Sequence, residues 1–205
     1  MNEKLLNWAR KIQASAQTGL AFSENEYEIE QNKKLLQIAS EMVEQNSDLD
    51  KNEIERIFLT QKGYATPKVD VRAAIIEHGT ILLVQENTDG KWAMPGGWAD
   101  VGDYPAKAAI REVFEESGYN VEVLKVIGVF DANRTGRNLD FFHAVKIVYL
   151  CKIIGGSPRP SNETLDVKFF DFNNLPEFSE FRTNQKHINE ILKHIANPDS
   201  PTYFE

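Results

Sequence analysis

Cysteine is nearly absent from this chain. Cys151 is the single one in 205 residues. That excludes a disulfide framework or a cysteine-rich zinc site within one chain. Cys151 lies in an apolar, strand-like run and reads as a buried, reduced thiol. Basic residues are also in short supply, 23 against 31 acidic ones, for a net charge of -8. Nucleic acids and anionic membranes call for basic patches, so general binding to either is not expected. An anionic ligand would need a cation and a few placed basic residues to offset repulsion. Long apolar runs are missing too. The start, MNEKLLNWARKIQ, has no uninterrupted apolar core of signal-peptide length, and no later segment suits a bilayer span. A cytoplasmic location is the resulting expectation. There is no internal repeat and no low-complexity tract. What remains is a chain with 41% hydrophobic residues, as in globular proteins, long enough for one domain and a small appendage.

The first third reads as helical. Leu5, Trp8, Ala9, Ile12 and Ala16 recur at helical spacing over residues 3–18, with Gly19 as a stop. Ser23-Glu24-Asn25-Glu26 has the form of a capping box. It opens a second helix to about Glu44, with Tyr27, Leu35, Ile38, Ala39 and Met42 as the apolar stripe. Asp50-Lys51-Asn52-Glu53 repeats the signal before Ile54, Ile57, Phe58 and Leu59; Gly63 and Pro67 close that helix. Residues 1–66 are therefore a helical module, either a surface for a partner subunit or a cap on its own core. Its acidic balance disfavours a DNA-reading helix pair. From Pro67 the period changes to two. Val69 to Ile75 and Thr80 to Glu86 flank a His78-Gly79 turn, and Trp92-Ala93-Met94 is a short strand. Strands are also expected over Val121–Phe130, Phe141–Ile154 and Val167–Phe172. A terminal helix is expected over Ser179–Ala196, followed by a frayed tail. The fold class is α/β: a sandwich on a mixed sheet over residues 67–205, preceded by the all-α module.

Between the strands lies the stretch from Pro95 to Tyr119, PGGWADVGDYPAKAAIREVFEESGY. Glu112, Glu115 and Glu116 stand at i, i+3 and i+4 and share a face on a helix, where they repel. A solvated acidic face is one reading. A hard divalent cation bound by oxygen ligands is the other. Asp103 suits a helix N-cap, Pro105 the first turn and Gly118 a left-handed C-terminal residue. The loop from Gly97 can bring its carbonyl towards the glutamates.

This stretch resembles the Nudix box: Gly, five residues, Glu, seven residues, Arg-Glu, an aliphatic residue, any residue, Glu-Glu, any residue, Gly and a hydrophobic residue. Gly97, Arg111, Glu112, Val113, Glu115, Glu116, Gly118 and Tyr119 match in spacing. Asp103 departs, standing where the family has Glu. The resemblance implies a Nudix-type α/β/α sandwich. It also implies hydrolysis of a nucleoside diphosphate linked to another group X, with Mg²⁺ or Mn²⁺ as cofactor. Its metal ligands would be Glu112 and Glu116, with Glu115 and the Gly97 carbonyl. Arg111 would bond the loop or a glutamate. Candidate general bases are Glu115, Glu116 and Glu163, the last on a loop before the final strand; Asp166 is a weaker rival.

Candidate substrate contacts are Arg72, Trp98, Arg134 and His143, each with a structural alternative. Arg72 reads as an exposed strand residue, Trp98 as packing on the sheet, Arg134 (with Arg137) as solvated charge and His143 as a hydrogen-bonded structural group. The helical module with Trp8, Gln17-Thr18-Gly19-Leu20 and Tyr27, ahead of Asp70-Val71-Arg72 and Trp92 to Asp100, is similar to a bacterial Nudix subgroup. Members of that subgroup are described as ADP-ribose or CDP-choline pyrophosphatases. The subgroup implies a homodimer through the N-terminal helices. CDP-choline is the first expectation, with Phe141, Phe142 and Trp98 as aromatic groups for a quaternary ammonium. ADP-ribose, damaged nucleoside triphosphates and a non-cleaving nucleotide sensor are the alternatives.

Overall fold

The computed structural model describes residues 3–45, 51–60, 63–132, 143–159 and 161–205. The chain divides into two compact units, 1–67 with 138–143 and 68–137 with 144–205.

The first unit holds α1 (Glu3–Phe22), α2 (Glu26–Glu44) and α3 (Lys51–Thr60). Their core is Leu6, Ala9, Ala16, Leu36, Ala39, Val43, Ile54 and Phe58. The expected stripes of α1 and α3 hold at Ala9, Ala16, Ile54 and Phe58, whereas that of α2 is rotated. On α2, Leu36, Ala39, Ser40 and Val43 face inward, whereas Tyr27, Leu35 and Ile38 are exposed. Trp8 is half exposed as well. A helix apolar on two sides gives a periodicity that does not say which side its own unit covers. Gly19 does not end α1. A Cβ there would stand 2.4 Å from Asn32 Oδ1, so the glycine permits close approach of α2 and the helix runs on to Phe22. The cap of α2 is Asn25, whose side chain accepts the Tyr27 N–H at 2.9 Å; this replaces the expected Ser23 box. Asp50 of the other box lies outside the described residues.

The second unit is an eight-stranded mixed sheet. Its strands are β1 (Lys68–Glu77), β2 (Thr80–Glu86), β3 (Trp92–Ala93), β4 (Gly96–Trp98), β5 (Tyr119–Asp131), β6 (Ala144–Gly156), β7 (Thr164–Asp171) and β8 (Tyr203–Phe204). The order β3-β2-β1-β6-β5-β8 carries β4 on β1 and β7 on β2. β1 and β2 are antiparallel across His78-Gly79, where φ is +50° and +79°. Positive φ at both turn residues matches the strand twist and keeps the connection tight. β1 runs parallel to β6, and Asp70 stands beside Lys146 in that register.

Helices α4 (Pro105–Ser117) and α5 (Gln185–Ala196) cover opposite faces of the sheet. The strands alternate to serve both. Ala73, Ile75, Leu82 and Val84 pack with Ala108, Ala109 and Val113 of α4. Ala74, Ile81 and Leu83 pack with Ile188 and Ile191 of α5. This is the α/β/α sandwich. Burial pushes the Cys151 thiol up to about 12.

Three expectations change in this unit. Asp103 does not cap α4: the N-cap is Tyr104, with no side-chain bond, because the Asp103 carboxylate is taken by Arg111 and the Asp100 N–H. The last helix starts at Gln185, because Asn184 and His187 form its capping box and leave the segment before it as a loop. The tail is not frayed, since Tyr203 and Phe204 pair in parallel with β5. Among the described residues no helix is long and apolar enough to cross a membrane.

Candidate active site

Pro105 in the first turn and the left-handed Gly118 after the last bound α4 and set its length. The buried side of α4 is not purely apolar, for Glu112 and Glu116 lie there with Ala108, Ala109 and Val113. Both carboxylates meet the glycine turn. Glu116 Oε2 accepts the Gly96 N–H at 2.8 Å. Glu112 lies against Gly97, where a Cβ would be 2.8 Å from its Oε2. Gly96 has φ +143° and its Cβ position falls 2.0 Å from the Val71 carbonyl oxygen, so only glycine lets β4 approach β1 this closely.

Burial pushes the Glu116 carboxyl up to about 8; Glu86 and Glu112 add to that, while Arg72 and the Gly96 N–H oppose it. Burial also raises Glu112, against the pull of Arg111. Arg111 is a hub. Its Nη1 bonds Glu112 at 2.8 Å and Glu115 at 3.0 Å, and its Nη2 reaches Asp103 at 3.2 Å and Asp100 at 3.5 Å. One guanidinium therefore ties both the turn and the helix. Glu115 remains exposed.

Arg72 is not an exposed strand residue. It is 5% exposed, with Nε on Asp70 Oδ1 at 2.9 Å and Nη1 on the Met94 carbonyl at 3.3 Å. Burial opposes its charge, yet Asp70, Glu116 and Glu86 hold its pKa above the ordinary value. Lys146 is fully buried next to it, 3.5 Å from Asp70 Oδ2, and donates to the Phe181 carbonyl and, at 2.8 Å, to the Arg182 carbonyl. Burial, with Arg72 nearby, lowers its pKa to about 8.

Glu163 is exposed, just ahead of β7. Its carbonyl accepts the Asn87 N–H at 3.1 Å, and the next residue, Thr164, donates through Oγ1 to the Glu116 carbonyl at 2.8 Å. Its rival Asp166 pairs with Lys168 instead. Trp98 sits on β4 opposite Asp70, half exposed, with Lys68 Nζ 5.8 Å from its ring centroid. His143 is exposed and falls in the helical unit. Arg134, Arg137, Phe141 and Phe142 lie outside the described residues.

The fold thus brings Gly97, Glu112, Glu116 and Arg72 together, with Glu163 at the edge. It adds Glu86 and Arg182, which the sequence did not single out, with Lys146, a strand residue that had no role there, and Asp70, which entered only as part of the Asp70-Val71-Arg72 run. Asp70 and Arg72, two apart on one strand, share a face, and that spacing was the one available signal.

The donor set is made of oxygens only: two carboxylates, buried on α4, against a backbone turn. That chemistry fits a hard divalent cation. Among the described residues no three His, Cys, Asp or Glu side chains are gathered as a ready cage.

The model of the NUDIX domain matches residues 66–192. The chain belongs to the Nudix family. It is a Nudix pyrophosphohydrolase, and Nudix hydrolases generally use divalent metal cations. A second model, the UDP-X-like N-terminal oligomerisation domain, matches residues 3–58. A candidate ADP-ribose pyrophosphatase of Bacillus subtilis strain 168, YjhB, is 34% identical over 98% of this chain and 97% of its own. The crystal structure of a UDP-X diphosphatase is 32% identical, covers 98% of both chains and superposes with a TM-score of 0.64. That of an ADP-ribose pyrophosphatase from Streptococcus suis 89-1591 is 34% identical over 68% of this chain and 100% of its own, with a TM-score of 0.62.

Proposed function

We propose that this Nudix hydrolase cleaves the pyrophosphate bond of a nucleoside diphosphate joined to a second group, with ADP-ribose as the first substrate to try. The observation that carries the reading is the corner of Gly96, Gly97, Glu112 and Glu116, where buried carboxylates face a backbone turn. Glu112, Glu116, the Gly97 carbonyl and Glu115 would hold Mg²⁺ or Mn²⁺. Such an ion, when bound, offsets phosphate charge and lowers the pKa of water. Arg111 keeps the turn and helix in register. Arg72 acts from beneath, as a buried countercharge to Glu116 and Asp70 rather than as an open phosphate ligand. Glu163, exposed on its loop, is our choice of general base, ahead of Glu115 and Glu116. Trp98 offers an exposed ring for stacking, and His143 and Arg134 stay as substrate candidates.

The relatives' names favour ADP-ribose or a UDP-linked compound over CDP-choline. The exposed Trp8, Tyr27, Leu35 and Ile38 of residues 1–66 support a homodimer through the helical unit, with residues 67–205 as the hydrolase domain. A cytoplasmic setting accords with nucleotide substrates and a buried thiol.

The test is a panel of ADP-ribose, UDP-sugars, CDP-choline and nucleoside triphosphates with Mn²⁺ or Mg²⁺, the products being separated. AMP and ribose 5-phosphate are expected from ADP-ribose. Faster release of CMP and phosphocholine would replace ADP-ribose by CDP-choline, and equal turnover in chelator would overturn the metal reading.

A further inference from the structure

A second set of polar side chains, none of them in the Nudix box, converges beside Glu116. Glu86 ends β2, where the pairing with β7 shifts register between Gln85 and Glu86. It is opposite Thr164, the residue that bonds the Glu116 carbonyl. Glu86 is 5% exposed. Arg182 Nε stands 3.1 Å from its Oε1, so Glu86 holds the guanidinium as an ion pair rather than through an aligned hydrogen bond. A carboxylate buried with an ion pair but without aligned hydrogen bonds keeps part of its desolvation cost.

Arg182 belongs to the loop between β7 and α5, and that loop is fixed from several directions. Thr183 Oγ1 accepts the Met94 N–H at 2.7 Å. Arg182 N–H donates to the Ser179 carbonyl at 2.8 Å, and its Nη1 to Ser179 Oγ at 3.1 Å. Ser179 Oγ in turn donates to Asp89 at 2.8 Å. Lys146, fully buried, gives its ammonium to the carbonyls of Phe181 and Arg182. Asp70, 3.5 Å from the ammonium, offsets part of the cost of burying it there. The result is an arginine whose backbone is anchored, whose inner edge faces a buried carboxylate, and whose side chain stays 30% exposed. That is how a guanidinium is preorganised for an anion.

We propose that Arg182 is an anion-binding residue of the substrate site, taking a phosphate of the nucleoside diphosphate, and that Glu86 is the positioning residue that aims it. The proposal rests on the corner of Glu112 and Glu116 being the pyrophosphate site.

Calorimetric binding of inorganic pyrophosphate tests it apart from turnover, with KM and kcat for ADP-ribose alongside. Arg182→Ala should weaken pyrophosphate binding and raise KM by about tenfold or more, with kcat within about threefold. Arg182→Lys should recover part of the binding. Glu86→Gln should weaken binding less, and should add nothing in the Arg182→Ala background. Pyrophosphate binding by Arg182→Ala equal to wild type would overturn the proposal. So would wild-type protein that binds no pyrophosphate, or a Glu86→Gln effect that persists without Arg182. If ADP-ribose is not cleaved but the Arg182→Ala loss in pyrophosphate binding remains, the substrate is misassigned and Arg182 keeps its role. If Glu116→Gln keeps full activity while that loss remains, the metal assignment falls instead.

Discussion

Glu116 carries a conflict that a cation would resolve. Its carboxyl is buried, bonded to the Gly96 N–H, and pushed up to about 8 by burial and by neighbouring carboxylates. The sign of its linkage follows. The folded pKa lies above the ordinary 4.5, so the stabilising proton is fully bound below pH 4.5 in folded and unfolded chains alike. The unfolded chain releases it above 4.5 and the folded chain only near 8, so stability falls across that window. Metal-free protein should therefore melt at lower temperature at pH 8 than at pH 5. Glu116→Gln, which cannot ionise, should remove most of that difference in chelator. The same substitution should lower kcat by about 100-fold or more. Thermal melts in EDTA and initial rates in Mn²⁺ check the two halves, and full activity in Glu116→Gln would refute the metal assignment. The carboxylates of α4 were legible because a helix places i, i+3 and i+4 together whatever the tertiary fold. Glu86, Lys146 and Arg182 were not, because β2, β6 and the loop before α5 are brought together only by sheet pairing. Asp103 was misread for a related reason: local spacing makes it a cap, but Arg111, about two helical turns further on, competes for the same oxygen.

At the scale of elements, glycines show how space and backbone angle differ as constraints. Gly96 has φ +143° and its Cβ position lies 2.0 Å from the Val71 carbonyl oxygen. Gly102 has φ +98° with nothing within 4 Å of that position. Gly96→Ala must break the β4–β1 approach and is expected to cost about 2–4 kcal/mol. Gly102→Ala carries backbone strain alone, about 1 kcal/mol. Denaturant unfolding of both variants checks the order, and an equal or smaller loss for Gly96→Ala would contradict the packing argument. The fold class was legible from the change of period at Pro67 and from the alternation along β1 and β2. Three details were not. Gly19 inside α1, the start of α5 at Gln185 and the pairing of Tyr203 and Phe204 each depend on a partner remote in sequence: Asn32, the Asn184–His187 box and β5.

For the whole molecule, the open question is what covers the outward side of the helical unit. Leu36, Ala39 and Val43 close its own core, yet Leu35 and Ile38 on the same helix remain exposed, with Trp8 half exposed on α1. Two apolar sides on one helix of a three-helix unit are more than that unit can bury. The sequence match to an oligomerisation domain spans this unit. A net charge of -8 keeps separate molecules apart at long range, so association needs apolar contact of this kind to prevail at short range. A stable pair needs roughly 1,600 Å² of buried surface with a few central anchors. Ile38→Asp places a charge on the exposed side without touching the core, and should convert the proposed dimer to monomer in light scattering coupled to gel filtration. An unchanged mass would move the interface elsewhere. The carboxylates of α4, the glycine turn, Arg72 and Arg182 all belong to the other unit. The monomeric variant should therefore keep kcat within about threefold. A larger fall on dissociation would mean that the partner copy supplies part of the site, and His143, which falls with the helical unit, would be the first residue to substitute.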